Sequence, residues 1–166
     1  GNIFHTGDWK LDDEMGIGHQ VSVDTLKTIG DEGVLALVCD STNVFNANPA
    51  GSEGGVKAGL LEMVGKAPAR VLVTTFASNA ARLKTLGEVA RETGRQLCVA
   101  GRSLDRIISV SQANGYLKDF PPIIDFDTAM KLPRNKVMIV ATGGQGEPRA
   151  ALARIAADVH QIKLDE

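Results

Sequence analysis

Short apolar runs rich in β-branched residues, each followed by an amphipathic stretch, place the strongest limit on how this 166-residue chain folds. Four of the runs are nearly continuous rather than alternating, which is typical of strands covered on both faces. They are Val34–Asp40, Arg70–Phe76, Gln96–Gly101 and Val137–Gly143. Repeated strand–helix units place strands side by side in parallel. The pattern therefore predicts an α/β fold of three layers, with a mostly parallel, Rossmann-like sheet and helices on both faces.

Amphipathic segments between these runs predict five helices. Small polar residues precede several of them, as N-caps do, and Gly94 and Gly115 follow two of them where a helix C-terminus favours glycine. The segment Lys118–Pro133 holds three prolines and predicts no continuous element. The expected helices are Asp24–Ile29, Val56–Gly65, Asn79–Glu92, Leu104–Asn114 and Glu147–His160.

Composition limits the partners and the compartment. The net charge of −2 gives no basic surplus, so any nucleic-acid site must be a local concentration of Arg and Lys or be completed outside this chain. Cys39 and Cys98 lie inside apolar runs and predict buried thiols rather than a disulfide or metal pair, which fits a reducing cytoplasm. No stretch approaches the roughly 18 apolar residues of a membrane span.

Two carboxylates follow predicted strands. Asp8 comes after the apolar Ile3 and Phe4, and a carboxylate there could bridge two metal ions, although Gly7-Asp8 is also a common turn dipeptide. Asp40 ends the first strong strand, where functional groups collect in open α/β sheets. It could orient a metal-binding histidine, or it could simply satisfy loop amides.

Two strand-to-helix turns could bind a ligand. In the first, Ser78 or Asn79 is the expected N-cap and Phe76 offers a ring for base stacking; an ordinary cap beside a core Phe is the alternative. The second, Thr142–Pro148, is Gly-rich but has no GxxxxGK[ST] pattern, so it is a weak signal for phosphate. Arg149 and Arg154 after it are typical of solvated surface.

Histidines are scarce. The chain has three, at unrelated positions: His5, which we interpret as structural, His19 and His160. It contains neither HxHxDH nor HExxH, so a self-contained zinc site is not expected.

Over nearly its whole length the sequence resembles bacterial ribonuclease J. The strings HTGDWKLD, GVLALVCDSTN, VTTFASN, GRS, LPR and TGGQGEPRAALARIA follow one another in the order of that family. The resemblance implies a metallo-β-lactamase domain, represented here by residues 1–48 and its C-terminal strands, with an inserted β-CASP domain at residues 49–166. It also implies a zinc-dependent 5′–3′ exo- and endoribonuclease of RNA processing and decay, cytoplasmic and oligomeric, acting on RNA.

The same resemblance assigns roles to individual residues. Asp8 matches the aspartate that bridges two zinc ions, and Asp40 matches the acidic motif that supports the active-site histidines. Phe76, Ser78 and Asn79 match the pocket for the 5′ nucleotide of RNA and its phosphate. Two zinc ions in the intact enzyme activate the attacking water.

Departures from the family pattern suggest a piece of a longer protein that is inactive alone and holds no zinc. The family's HxHxDH motif and its later histidine motifs are missing, Gly144 stands where relatives have Ser, and Asp13–Val21 lacks an expected Pro-containing turn. The segment Asp13–Val21 is either a divergent loop or an engineered join. The alternatives from other classes are a stand-alone nucleotide- or anion-binding α/β module and an assembly domain.

Overall fold

A computed structural model describes residues 1–11, 16–19, 21–48 and 51–163. Within these ranges the helices and strands alternate along nearly the whole chain. In chain order they are β1 (Asn2–His5), α1 (Val23–Asp31), β2 (Val34–Val38), α2 (Glu53–Lys66), β3 (Val71–Thr74), α3 (Ala80–Glu92), β4 (Gln96–Ala100), α4 (Arg102–Ala113), β5 (Ile123–Ile124), α5 (Phe126–Lys131), a 3₁₀ turn (Arg134–Lys136), β6 (Val137–Ala141) and α6 (Ala151–Ala156). No helix in the described ranges is long and apolar enough to cross a membrane.

The main sheet has four parallel strands in the order β3-β6-β4-β5. Its two faces are covered by different helices. Leu97 and Val99 of β4 pack with α2, α3 and α4, whereas Cys98 and Ala100 of the same strand pack with α5 and α6. Alternate residues of one strand thus enter two cores, as the two-residue period of a strand requires. The predicted α/β fold with helices on both faces is confirmed.

The second sheet consists of β1 and β2, paired in parallel. The prediction that Val34–Asp40 is a buried strand was wrong in its burial, because every residue of β2 is exposed and Leu35 is 77% accessible. Its apolar side chains are largely uncovered in the described part of the chain: Ile3, Leu35 and Leu37 are exposed, and Phe4 is half-buried. Cys39, predicted as a buried thiol, is exposed for the same reason, while Cys98 is buried and burial raises its pKa to about 11.

Helix starts were predicted best where a side chain caps them. Ser22, Ser52 and Asn79 each accept a hydrogen bond from an amide of the following first turn. After α3, Gly94 has a φ of +65°, which agrees with the position predicted for it. Four predicted helices correspond to α1, α2, α3 and α4 within a few residues.

The helix expected at Glu147–His160 is much shorter. Only Ala151–Ala156 is helical, since residues 147–150 form a turn closed by the Ala150 amide and the Glu147 carbonyl, and Asp158 takes a positive φ of 57° just after the helix. Within Lys118–Pro133, where no element was predicted, β5 and α5 form; Asp125 caps α5 by accepting from the amide of Thr128. The segment Asp13–Val21 lies partly outside the described residues.

Candidate functional site

The loops after β1 and β2 bring two predicted site residues to one edge of the small sheet. His5 of β1 lies opposite Val38 of β2, and the amide of Thr6 continues the pairing to the Val38 carbonyl at 3.0 Å. Because the strands are parallel, Asp8 and Asp40 follow them on the same side. The indole Nε1 of Trp9 then donates to the Asp40 carbonyl at 3.2 Å, which joins the two loops.

The carboxylate of Asp40 accepts two hydrogen bonds from Thr42. One carboxylate oxygen, Oδ1, accepts from both the hydroxyl and the amide of Thr42, the amide at 3.0 Å. The hydroxyl bond first, and then the amide bond, hold the pKa of Asp40 below its ordinary value. The sequence reading missed Thr42, although an Asp two residues before a Thr is a known signal for such a turn. Both hydrogen bonds from Thr42 use the same carboxylate oxygen of Asp40. The second oxygen could accept a hydrogen bond from a histidine and so orient that ring.

Beside Asp40 lies a cavity of about 560 Å³ lined by Trp9, Lys10, Cys39, Asp40 and Val44 among others. Asp8 does not line it. In the described part of the chain no three His, Cys, Asp or Glu side chains come close enough together to hold a metal ion. His5 contributes structurally, since its Nδ1 accepts from the amide of Gly7 at 3.0 Å.

The turn between β3 and α3 presents the other predicted site residues. Phe76 is 53% exposed and is therefore no core residue, and Ser78 is exposed beside it. The side-chain oxygen of Asn79 accepts from the amide of Arg82 at 2.9 Å, which confirms Asn79 as the N-cap. That amide is consequently not free for an anion. The guanidinium of Arg82 is also engaged, in a two-pronged ion pair with Glu53 of α2.

The Gly-rich turn after β6 lies next to this segment, because β3 and β6 are neighbours and end at the same edge. A side chain built on Gly144 would contact the hydroxyl of Thr74 at 3.5 Å. At Gly143 the φ of +120° and a contact of 2.8 Å to the Leu152 Cβ exclude any larger residue. Thr142 accepts from the amides of Ala151 and Leu152, so it fixes the start of α6. The turn thus has a structural role.

Comparison with known proteins gives the chain its family. A family model described as the β-CASP domain of ribonuclease J matches residues 68–166, more than half of the chain. Ribonuclease J of Sinorhizobium meliloti is 42% identical over 95% of the chain, and ribonuclease J of Corynebacterium glutamicum is 40% identical over 97%. Ribonuclease J2 of Bacillus subtilis is 33% identical over 100%.

The chain spans less than a third of the length of each of these curated relatives: 28%, 23% and 30% respectively. The matches agree with the fold, since the family model covers β3 to β6, the whole of the four-stranded parallel sheet. By sequence and by architecture, the chain belongs to the ribonuclease J family and contains its β-CASP domain.

Proposed function

We propose that this chain is the RNA-binding portion of a zinc-dependent ribonuclease that degrades RNA from a 5′-monophosphorylated end and also cuts internally. The observation that carries the proposal is the exposed pair of Phe76 and Ser78 at the carboxyl edge of the main sheet. A terminal nucleotide requires a surface on which its base can stack and a hydrogen-bond donor to its phosphate. An exposed aromatic ring beside a hydroxyl provides both.

The polar groups of this turn divide into used and available ones. The oxygen of Asn79 is occupied by the Arg82 amide, which leaves its NH₂ group as a donor. Within the described part of the chain the Ser78 hydroxyl has no hydrogen-bond partner. Since Arg82 is paired with Glu53, the cationic contribution to phosphate binding has to come from elsewhere.

Binding of short RNAs with a 5′-phosphate or a 5′-hydroxyl tests this pocket. We expect Phe76→Ala to weaken binding of both RNAs by about tenfold, because loss of one stacked base costs about 1–3 kcal/mol. Ser78→Ala should weaken only the phosphorylated RNA. Tyr116→Ala is the matched control, since Tyr116 is also 53% exposed but lies outside this turn. Equal losses for Phe76→Ala and Tyr116→Ala would contradict the pocket.

For the metal, we propose that Asp8 supplies a bridging carboxylate and Asp40 a supporting one to a two-zinc site whose other ligands lie outside this chain. The two residues follow adjacent parallel strands, which supports a shared site. We expect the chain alone to purify without stoichiometric zinc and to be inactive. In the full-length protein, Asp8→Asn should lower both the zinc content and RNA hydrolysis. Tightly held zinc in the isolated chain would contradict this arrangement.

We further propose that residues 1–48 belong to a metallo-β-lactamase domain and residues 49–166 to the β-CASP domain. Parallel sheets are normally covered on both faces, yet every residue of β2 and all of β1 except Phe4 are exposed, which supports a missing cover. By contrast, α2 packs into the main core through Val64, which favours a boundary before α2. In the full-length protein the amides of β2 should exchange with deuterium far more slowly than in this chain. We also propose that the parent protein is cytoplasmic and forms a homo-oligomer. Light scattering of the full-length protein measures the mass of the oligomer.

A further inference from the structure

A second polar cavity lies at the carboxyl edge of the main sheet, on the other side of β6 from Phe76. Its volume is about 670 Å³, and it is formed where the ends of β4 and β6 meet α5 and α6. We call it the arginine cavity, after the three arginines in its lining: Arg102, Arg149 and Arg154. Asp105, Phe126 and His160 also line it.

The charges of the arginine cavity do not balance. Three guanidinium groups share the lining with a single carboxylate, that of Asp105, so the lining carries an excess of positive charge. In the described part of the chain, Arg102 and Arg149 donate to no side chain or carbonyl. Arg154 makes one long bond, from Nη2 to the Val159 carbonyl at 3.4 Å. Most of the donors in the lining are therefore unused.

His160 adds a neutral donor rather than a fourth charge. Its Nδ1 accepts from the amide of Ile162 at 3.1 Å, so the proton of the neutral ring is on Nε2. The ring also packs edge-on against Phe126, with centroids 5.3 Å apart. Burial, followed by the nearby charges of Arg154 and Lys163, lowers the pKa of His160. At neutral pH the cavity thus offers guanidinium groups and an imidazole N–H.

We propose that the arginine cavity binds phosphate groups of an RNA strand at a position separate from the 5′-terminal nucleotide. Guanidinium groups match phosphate oxygens in two-pronged geometry, and an anion would offset the repulsion among the three arginines. The identification of the ligand as RNA rests on the function proposed above, whereas its phosphate chemistry follows from the lining.

The position of the cavity fits a single strand that also reaches Phe76. Both features lie at the ends of parallel strands, with β6 between β3 and β4. Neighbouring strands are about 4.8 Å apart, so the two loops are separated by roughly 10 Å. Thr142 at the end of β6 contributes to the cavity, and Gly144, two residues later, approaches Thr74 on the other side.

Binding of a 5′-hydroxyl oligoribonucleotide to this chain tests the proposal, because such an RNA carries phosphodiesters but no terminal phosphate. Arg149→Gln and Arg154→Gln should each weaken binding several-fold and should lower the slope of log affinity against log salt by about 0.7, the value for one phosphate contact on a single strand. Arg106→Gln removes the same charge from an exposed site on α4 outside the cavity and should leave the slope unchanged.

Inorganic phosphate, titrated in parallel and followed through backbone amide shifts, separates the two sources of the ligand. Shifts confined to Gly101–Ser103 and Thr142 would support the phosphate chemistry. The RNA assignment would be overturned if phosphate bound there while the arginine variants bound RNA normally. Equal effects of Arg106→Gln and Arg149→Gln would overturn the cavity itself. If Phe76→Ala loses RNA binding and the arginine variants do not, the arginine cavity is overturned and the 5′ pocket stands. If the arginine variants lose RNA binding and Phe76→Ala does not, the 5′ pocket is overturned and the arginine cavity stands.

Discussion

The indole of Trp9 donates a hydrogen bond to the backbone carbonyl of Asp40 across a gap of 31 residues in sequence. It is a direct link between the two loops that present Asp8 and Asp40. Trp9→Phe keeps an aromatic ring but removes the hydrogen-bond donor, so we expect it to lower the stability of the small sheet by about 0.5–1.5 kcal/mol. Faster amide exchange at Thr6, which pairs with Val38, would report the loss. Tyr116→Phe, which removes a hydroxyl without a described partner, should change nothing.

Thr42 should control the ionisation of Asp40. The hydroxyl of Thr42 is the largest cause of the lowered pKa of Asp40. In Thr42→Val the pKa of Asp40 should therefore rise toward its ordinary value of 3.8. A carboxyl ¹³C NMR titration measures it. Ser41→Ala is the control, because only the backbone of Ser41 acts on Asp40; a shift of equal size there would contradict the assignment.

Arg95 should be essential for stability even though it is far from both candidate sites. Arg95 is 6% exposed, and its guanidinium donates to the carbonyls of Val64, Ala67, Ala69 and Val137. Arg95→Met leaves those acceptors without their donor, and each unsatisfied buried group costs about 1–3 kcal/mol. We expect the free energy of unfolding, measured with urea, to fall by at least about 3 kcal/mol. Arg106→Met, on the surface of α4, should cost little.

Two glycine-to-alanine changes should have opposite signs. A Cβ on Gly87 of α3 would lie 2.8 Å from Phe120 and Pro121, and such overpacking costs about 1–3 kcal/mol. Gly59 of α2 has nothing within 4 Å, so Gly59→Ala should stabilise the chain by roughly 0.5–1 kcal/mol through helix propensity. Thermal unfolding of the two variants measures both effects, and destabilisation by both would contradict the packing described.

His160 should make stability fall at mildly acidic pH. Its folded pKa lies below the ordinary value of 6.5, so the unfolded chain binds the proton more readily. Stability is then full above about pH 6.5 and declines as the pH falls below it. In His160→Gln the decline between pH 7 and pH 5 should be smaller. An unchanged or steeper decline would show that burial does not disfavour the imidazolium.

The local part of the fold followed from the sequence. Strands β3, β4 and β6 were predicted within one or two residues, because continuous β-branched runs are distinctive. A cap at Ser78 or Asn79 was predicted, and Asn79 is the cap observed, because capping acts through the next turn of the same chain. The length of α6 was predicted wrongly, since apolar spacing continued past Asp158 although the backbone did not.

The candidate site was likewise predictable only in part. The ends of predicted strands and the resemblance to the family indicated five site residues: Asp8, Asp40, Phe76, Ser78 and Asn79. The sequence could not show that the Asn79 oxygen already accepts the Arg82 amide, or that the Thr42 hydroxyl donates to the Asp40 carboxylate, since both depend on side-chain geometry. Arg149 and Arg154 resembled ordinary surface residues until the fold placed them around one cavity with Arg102.

By itself, then, the sequence determined which segments are strands and helices, the α/β class and the family, because these depend on periodicity, capping and local strings of residues. Only the tertiary structure decided that β2 leaves the main sheet to pair with β1 and that β5 takes the place next to β4. Strand partners are selected by contacts between distant residues, and an apolar run has the same local pattern whichever neighbour it pairs with. The same holds for the three arginines: Arg102 and Arg154 are 52 residues apart in sequence, and they meet only because β4 and β6 end at one edge.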